Sequence, residues 1–475
     1  MRSRPPRSLD ICAAPYNCGM NRLQRLPFTG ASEALRHALA RAYRTVVVFS
    51  VAITIALGYI RVQRRVKRLS PEAAAALWDA QHRRSAPRLA RTIRRLRGML
   101  TKSGQYLSAR PDLMPEAYIE ALAGLQDSVP PHPYREIAAQ IQRELGAPVE
   151  ALFASFEKRP VASASLAQVH RATLKDGRVV AVKALYPGIE GTVRADLRNL
   201  GLLVNIVGRI WRKYDFRALY REIARLVPIE LDFRHEAANA ERIAADLAGR
   251  NDVVVPGIVR AFSRSRVLVM DYIDGIKVTN VAELRAAGLE PARLAETIVD
   301  LFGDQIIGHG FFHGDPHPGN IFVLRDGRVA LIDFGQALAL KDEVRLGFAT
   351  LAQSAANRDP AGMIRAIGMV GFRLPQADMA TYMRMARQTV GVASDEQASP
   401  PPEDDGAAVN VQLARGFRGI SLDGVTGEAL FVFRVQGLLR GLRAQLGNPG
   451  NVMVTWSDYA AQALAEAANG RARSA

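Results

Sequence analysis

The sequence predicts an α+β protein folded as two lobes, on three observations. "HRATLKDGRVVAVKAL" (170–185) and "IFVLRDGRVALIDFG" (321–335) each read as two short strands joined at an Asp-Gly pair, Asp176-Gly177 and Asp326-Gly327, the pairing that favours a tight hairpin. A helical pattern over 216–250, interrupted near Pro228, separates them. From about residue 340 the pattern is again helical, apart from the Pro- and acid-rich "SDEQASPPPEDDGAA" loop. At 475 residues the chain is too long for one simple core, so more than one packed unit is expected.

Taken in order, residues 1–42 read as a basic tail in which Pro5, Pro6, Pro15 and Pro27 discourage regular structure. The net charge is +17, and residues 1–102 hold 21 Lys/Arg against 4 Asp/Glu while the rest balances at 42 of each. Such an arm suits an anionic lipid surface. Its arginines are not interleaved with aromatic stacking platforms, so no nucleic-acid partner is expected. The cysteines, Cys12 and Cys18, both lie in the tail; they cannot staple the fold, their spacing fits no standard zinc site, and a reducing compartment is expected.

Residues 43–62 contain the uncharged run "TVVVFSVAITIALGYI" (45–60), a candidate transmembrane or interfacial helix. As a helix it spans roughly 24 Å against a hydrocarbon core of ~30 Å, a gap that extension to Tyr43 or Val62 bridges. The forty or so preceding residues argue against a secretory signal peptide. Five basic residues between Arg61 and Arg68 favour the cytoplasmic side of a bacterial-type inner membrane for the part of the chain that follows. Ser50, Thr54 and Gly58 recur at every fourth residue, a small-residue row suited to pairing two copies of the helix as a homodimer. Residues 63–155 read as a basic helical extension: Ser70 caps a helix with Pro71 at its first position, and Leu89, Ile93, Leu96 and Leu100 share a face. Residues 156–275 then form a small lobe and 276–475 a mostly helical large lobe.

The chemistry concentrates in "FFHGDPHPGNIFVLRDGRVALIDFG" (311–335). Phosphoryl transfer needs a carboxylate to orient the acceptor and oxygen ligands for Mg2+ on the nucleotide phosphates. His313-Gly314-Asp315 is followed at the kinase spacing by Asn320, and the hairpin delivers Asp333-Phe334-Gly335. Asp315 is the candidate catalytic carboxylate, with Asn320 and Asp333 the candidate metal ligands. A metal site built instead from His309, His313 and His317 would lack soft ligands and leave the D-F-G unexplained. Upstream, "VAVK" (180–183) matches the strand whose lysine, here Lys183, binds the nucleotide phosphates. Where a phosphate-covering G-x-G-x-x-G-x-V should stand, the sequence has Ala162, Ser163, Ala164, Ser165, Leu166, Ala167, Gln168 and Val169, with every glycine replaced by alanine. Each added Cβ penalises positive φ and limits approach to phosphate, so a stiffer loop is expected. "SRVLVMDYIDG" (265–275) reads as a strand running into a connector, and "IELDFRHEAANAER" (229–242) offers Glu230, Asp232 and Glu236 as partners for Lys183.

With these motifs the chain resembles the UbiB family of atypical kinases, also called ABC1/AarF or ADCK. The resemblance rests on K-x-G-Q at Lys102, Gly104 and Gln105, the alanine-rich loop, E-x-D at Glu230 and Asp232, E-A-x-N at Glu236 to Asn239, "HGDPHPGN" and D-F-G, and covers roughly residues 70–345. It implies a bilobal protein-kinase-like fold with an N-terminal helical K-x-G-Q extension, and ATP with Mg2+ as cofactors. Glu236 would pair with Lys183, and Met270 would join the alanine-rich loop in binding nucleotide. The K-x-G-Q segment would lie over the place where a protein substrate docks, with Lys102 facing the nucleotide and paired with Glu230 and Asp232 as a regulatory element. Family members resembling this chain act as ATPases or atypical kinases that support isoprenoid quinone and other lipid metabolism at membranes, which implies isoprenoid lipid or lipid-biosynthesis proteins as partners. Two other readings stand beside it. One is a small-molecule phosphotransferase, whose loops also read H-x-D-x-x-x-x-N; the other is a nucleotide-gated membrane scaffold with little catalysis.

Overall fold

The computed structural model describes residues 31–108, 114–123, 125, 130–210, 216–371 and 425–474. The Cys12/Cys18 segment and the acid-rich 394–408 loop lie outside them. Helix α1 (Ala31–Val66) begins well ahead of residue 43, which corrects the expected tail. The reason is local: "ASEALRHALARA" is dominated by strong helix formers that extend the apolar run backwards. Helix α2 (Pro71–Leu96) starts as expected, with the Ser70 hydroxyl accepting from the Ala73 N–H at 3.3 Å. It continues unbroken through Pro87 and stops where Arg97 and Gly98 turn to φ of 56° and 63°. Helix α3 (Met99–Ser108) carries the K-x-G-Q segment.

The small lobe is an antiparallel sheet of β1 (Phe153–Phe156), β2 (Ala162–Ser163), β3 (Ala167–Leu174), β4 (Val179–Leu185) and, after a helical excursion, β6 (Val267–Asp271). β5 (Val253–Val254) crosses to the other lobe. The order is β1-β3-β4-β6, with β2 on β3. Alternation along β4 decides the layers. Val180 and Val182 pack with Ile137 and Ile141 of α4 (Tyr134–Leu145), so the lobe's packing starts ahead of residue 156. Helix α5 (Ile189–Ile210) follows β4, and the opposite face of the sheet, Leu185 with Leu268 and Met270, packs on Phe233 and Ala237 of α6 (Phe233–Asp246). Lys183 belongs to that second face, and the sheet's pleat therefore aims it at α6.

In the large lobe, β7 (Ile276–Lys277), β8 (Phe311–His313), β9 (Ile321–Val323), β10 (Val329–Leu331) and β11 (Ala337–Ala339) form two small sheets, β5-β10-β9-β7 and β11-β8. Both Asp-Gly turns close alike: Gly177 and Gly327 sit at φ 89°, and the Asp176 and Asp326 carboxylates accept from the N–H groups of Arg178 and Arg328. Helices α7 (Pro291–Gly303), α8 (Asp342–Ala356), α9 (Gly427–Gln445) and α10 (Ser457–Ser474) enclose a core in which Phe302, Phe348, Phe433 and Trp456 are fully buried.

Helix α1 is docked along one side and bare along the other. The Arg44 guanidinium donates to Asp196 of α5, both buried, and the Asn199 amide donates to Thr45 Oγ1 at 3.0 Å. Tyr59 meets His82 Nδ1 at 2.6 Å and the Tyr118 hydroxyl at 3.0 Å. On the other side Leu35, Leu39, Val46, Ile53 and Leu57 are exposed, and at ~100° per residue they fall within about 40° of one another. Among the described residues α1 is the one helix long and apolar enough to cross a membrane. The small-residue row is not a continuous free face, because Gly58 packs against Gln81 of α2 while Ser50 and Thr54 donate to their own helix backbone.

Candidate active site

The sheet's second face and α6 bring Lys183 to Glu236. Lys183 Nζ donates to both carboxylate oxygens, at 2.7 and 2.9 Å, and reaches across the cleft to Asp333 Oδ1 at 3.3 Å. Burial works against the Lys183 ammonium, but Asp333 and Glu236 outweigh it and hold the group above the usual lysine range. Burial pushes the Glu236 carboxyl up to about 6 against the pull of Lys183. Asp333, although burial opposes it, is held below the usual carboxylate range by Lys183 and Lys102. Its side chain keeps 47% of its surface open, so the carboxylate remains presented to the cleft. Among the described residues Asp333 is also one of few non-glycine residues at positive φ, 61°, a strained conformation that turns the D-F-G segment.

Two contacts hold that turn. Asn239, one turn beyond Glu236 on α6, donates to the Phe334 carbonyl at 2.9 Å, which gives the E-A-x-N spacing a physical meaning: one helical face grips the small lobe's lysine and the large lobe's D-F-G together. His313, fully buried, sits with Nε2 at 2.9 Å from the Asp333 carbonyl and 3.1 Å from that of Ile332, while Nδ1 accepts from the Asp315 N–H at 3.2 Å. This network assigns the Nε2–H tautomer and ties the Asp315 loop to the D-F-G backbone. Asn320 Nδ2 donates to the Asp315 carbonyl at 3.1 Å and lies 3.4 Å from Asp315 Oδ2. Its amide nitrogen is thus spent on the loop, and its amide oxygen is the end suited to a cation.

Asp333 and Asn320 form a hard-oxygen donor set of the kind Mg2+ takes together with phosphate and water. The three histidines do not form a site. His313 uses both ring nitrogens on backbone, His309 lies 3.4 Å from Asp304, and His317 Nδ1 accepts from the Gly319 N–H.

The alanine-rich stretch is a tight hairpin. Ala162 pairs with Val169 and Ser163 with Gln168, and the Ala164 N–H closes on the Ala167 carbonyl at 2.8 Å. Tyr186 pins its tip, donating to the Ala164 carbonyl at 2.8 Å and contacting Ser163 Oγ at 2.8 Å; Ser165 is buried. None of these residues is at positive φ, so the hairpin closes without glycine. Met270 pairs with Ala181 beside Lys183's strand position and is 7% exposed, on the cleft-side layer of the sheet.

Lys102 lies 3.7 Å from Glu230. The expectation that Asp232 shares this lysine is corrected: Asp232 is the N-cap of α6, accepting from the Arg234 N–H at 3.1 Å and pairing with the Arg234 guanidinium. As the cap of the helix that carries Glu236, it is committed to holding the helix end. Gly104 is closely packed: a Cβ there would displace the Leu125 side chain and press on Ile93. The Gln105 side chain lies outside the described set. One contact had no motif to announce it. Arg434 on α9 donates to Asp315 Oδ1 at 2.9 Å.

A lysine clamped by a helix glutamate, a D-F-G aspartate facing it, and an H-x-D-x-x-x-x-N loop beneath together define a protein-kinase-like fold of the atypical kind, with alanines in place of the phosphate-loop glycines. The chain belongs to the ABC1 atypical kinase-like family, whose domain model matches residues 124–367. It is 30% identical over 406 residues to the AarF domain-containing kinase 1 of Drosophila melanogaster, covering 82% of this chain and 78% of that one. It is 34% identical over 337 residues to the chloroplastic protein Activity of BC1 complex kinase 8 of Arabidopsis thaliana, covering 70% of this chain but 44% of the plant protein, so this chain spans under half of that relative's length. A Mycobacterium tuberculosis protein solved in complex with erythromycin is similar at a TM-score of 0.50 and 25% identity, over 80% of this chain and 98% of that one.

Proposed function

We propose that the protein is an ATP- and Mg2+-dependent atypical kinase or ATPase that works on a membrane surface, on its cytoplasmic face, in support of isoprenoid quinone or other lipid metabolism. The observation that carries the reading is Lys183 held between Glu236 and Asp333, with Asp315 and Asn320 on the loop beneath. Lys183 binds nucleotide phosphate, Glu236 and Asn239 keep it and the D-F-G in register, and Asp315 orients the acceptor hydroxyl or water. Asn320 and Asp333 hold Mg2+, which when bound neutralises charge on the phosphates. The lipid side of the reading rests on the exposed apolar stripe of α1 and on the basic arm. Because Arg44 and Tyr59 tie α1 to the folded extension, the helix lies on the bilayer surface in this reading.

Mg-dependent ADP release from the full chain, with and without anionic liposomes, tests both halves. The reading expects turnover that an Asp315→Asn variant loses by roughly 100-fold or more and that liposomes raise. Turnover untouched by that substitution overturns the enzymatic half, and indifference to liposomes overturns the membrane half. A second reading, transfer to a soluble small molecule, draws on the erythromycin-bound relative. Stoichiometric phosphate transfer to hydroxylated small molecules, faster than to water, would favour it.

A further inference from the structure

The Asp315 carboxylate is held from both sides. Asn320 approaches Oδ2 at 3.4 Å, and Arg434 Nη2 donates to Oδ1 at 2.9 Å. The arginine is 119 residues further along the chain and lies beyond residues 124–367, the part that matches the family domain. It is delivered rigidly. Val432, Phe433, Val435 and Gln436 are buried on α9, and the Phe433 ring meets Phe348 edge-on at 5.1 Å between centroids. The second guanidinium nitrogen points to Gln336 Oε1 at 3.5 Å, and the neighbouring Gln336 carbonyl accepts from the Gly314 N–H at 2.7 Å. The guanidinium therefore links the Asp315 loop to the segment that follows the D-F-G.

A carboxylate on a loop can rotate about its Cβ–Cγ bond, and an oxygen turned away from the acceptor does no work. A planar, permanently charged guanidinium on a buried helix removes that freedom, and each carboxylate oxygen keeps a further lone pair for the acceptor's proton. We propose that Arg434 is a positioning residue for phosphoryl transfer, so that helix α9 completes an active site that the family domain leaves unfinished. The inference rests on Asp315 being the residue that orients the acceptor.

The test compares wild type, Arg434→Ala and Arg434→Lys as full chains, measuring ADP release with Mg-ATP, nucleotide affinity, melting temperature, and the response to millimolar guanidinium. Misplacing a reacting group can cost about 100-fold, so Arg434→Ala is expected to lower kcat by roughly 10- to 100-fold while KM for nucleotide stays within about two-fold. Guanidinium should restore part of that loss, and lysine, which keeps charge and stem without the fork, should fall between the two. Unchanged kcat overturns the inference. So does a loss that guanidinium leaves untouched, or one shared equally by kcat, nucleotide affinity and melting temperature, since each marks a role in folding alone. If wild type itself shows no turnover, the reading of Asp315 falls and takes this inference with it; if wild type turns over and Arg434→Ala matches it, the inference alone falls.

Discussion

Lys183–Glu236 and Arg434–Asp315 are both cation–carboxylate pairs in one cleft, but the first is 13% and 6% exposed and the second keeps 21% and 28% of its side-chain surface open. Burial changes what such a pair does. A buried pair gains little net energy over an apolar one, yet breaking it strands a charge in a medium that cannot solvate it. A half-open pair adds little to net stability, because water screens both charges, and it can still fix the orientation of the groups it joins. In the proposed site the nucleotide side is therefore part of the fold's architecture, while the acceptor side is positioned by a contact that adds little to stability.

Replacing Glu236 by Ala should break the comparison most severely. It leaves the Lys183 ammonium buried with only Asp333 beside it, which should cost about 3 kcal/mol of stability and abolish productive nucleotide binding; a melting temperature matching wild type would show that the pair is not architectural. Acidification should act on the same pair more gently. Glu236 is raised to about 6 from an ordinary 4.5, so its contribution to stability is full below pH 4.5 and is lost as pH rises through about 6. The charged pair, by contrast, exists only above that range. Nucleotide affinity should therefore rise through pH 6 while this group's contribution to thermal stability falls; an affinity flat across the window contradicts the assignment. On the acceptor side, Arg434→Ala should change stability by no more than about 1 kcal/mol by denaturant titration, in keeping with its exposure, so a larger loss would make the two pairs alike. The smallest effect on chemistry is expected from Val46→Asp with Ile53→Asp on α1: liposome binding should drop while turnover in solution stays within about two-fold. Undiminished liposome binding would remove the stripe from the membrane reading.

Sequence spacing reaches much of this site because the kinase-type parts are local. Asp315 and Asn320 share one loop, Asp333 comes one hairpin later, and Glu236 and Asn239 are one helical turn apart. The lysine strand is legible because an Asp-Gly turn precedes an apolar run that ends in the V-A-V-K pattern. What spacing does not reach is any choice made by tertiary contact. The E-x-D spacing suggests Asp232 as a partner of Lys102, yet its position ahead of Phe233 makes it an N-cap, a signal the sequence does contain. Arg434 has no such signal: one of three arginines on its helix, it becomes meaningful only when folding lays it against Asp315. The early start of α1 is masked by the prolines before it, although the alanine-rich segment itself favours helix.

The proposed function depends most on the Asp333 carboxylate, held in a strained turn opposite Lys183, serving a nucleotide-bound metal. The most direct measurement is Mg-dependent ADP release by wild type and Asp333→Asn, with melting temperatures taken alongside. A loss of roughly 1,000-fold in turnover, with the fold intact and the Mg dependence gone, is the predicted result. Turnover and Mg dependence equal to wild type in that variant would contradict the account.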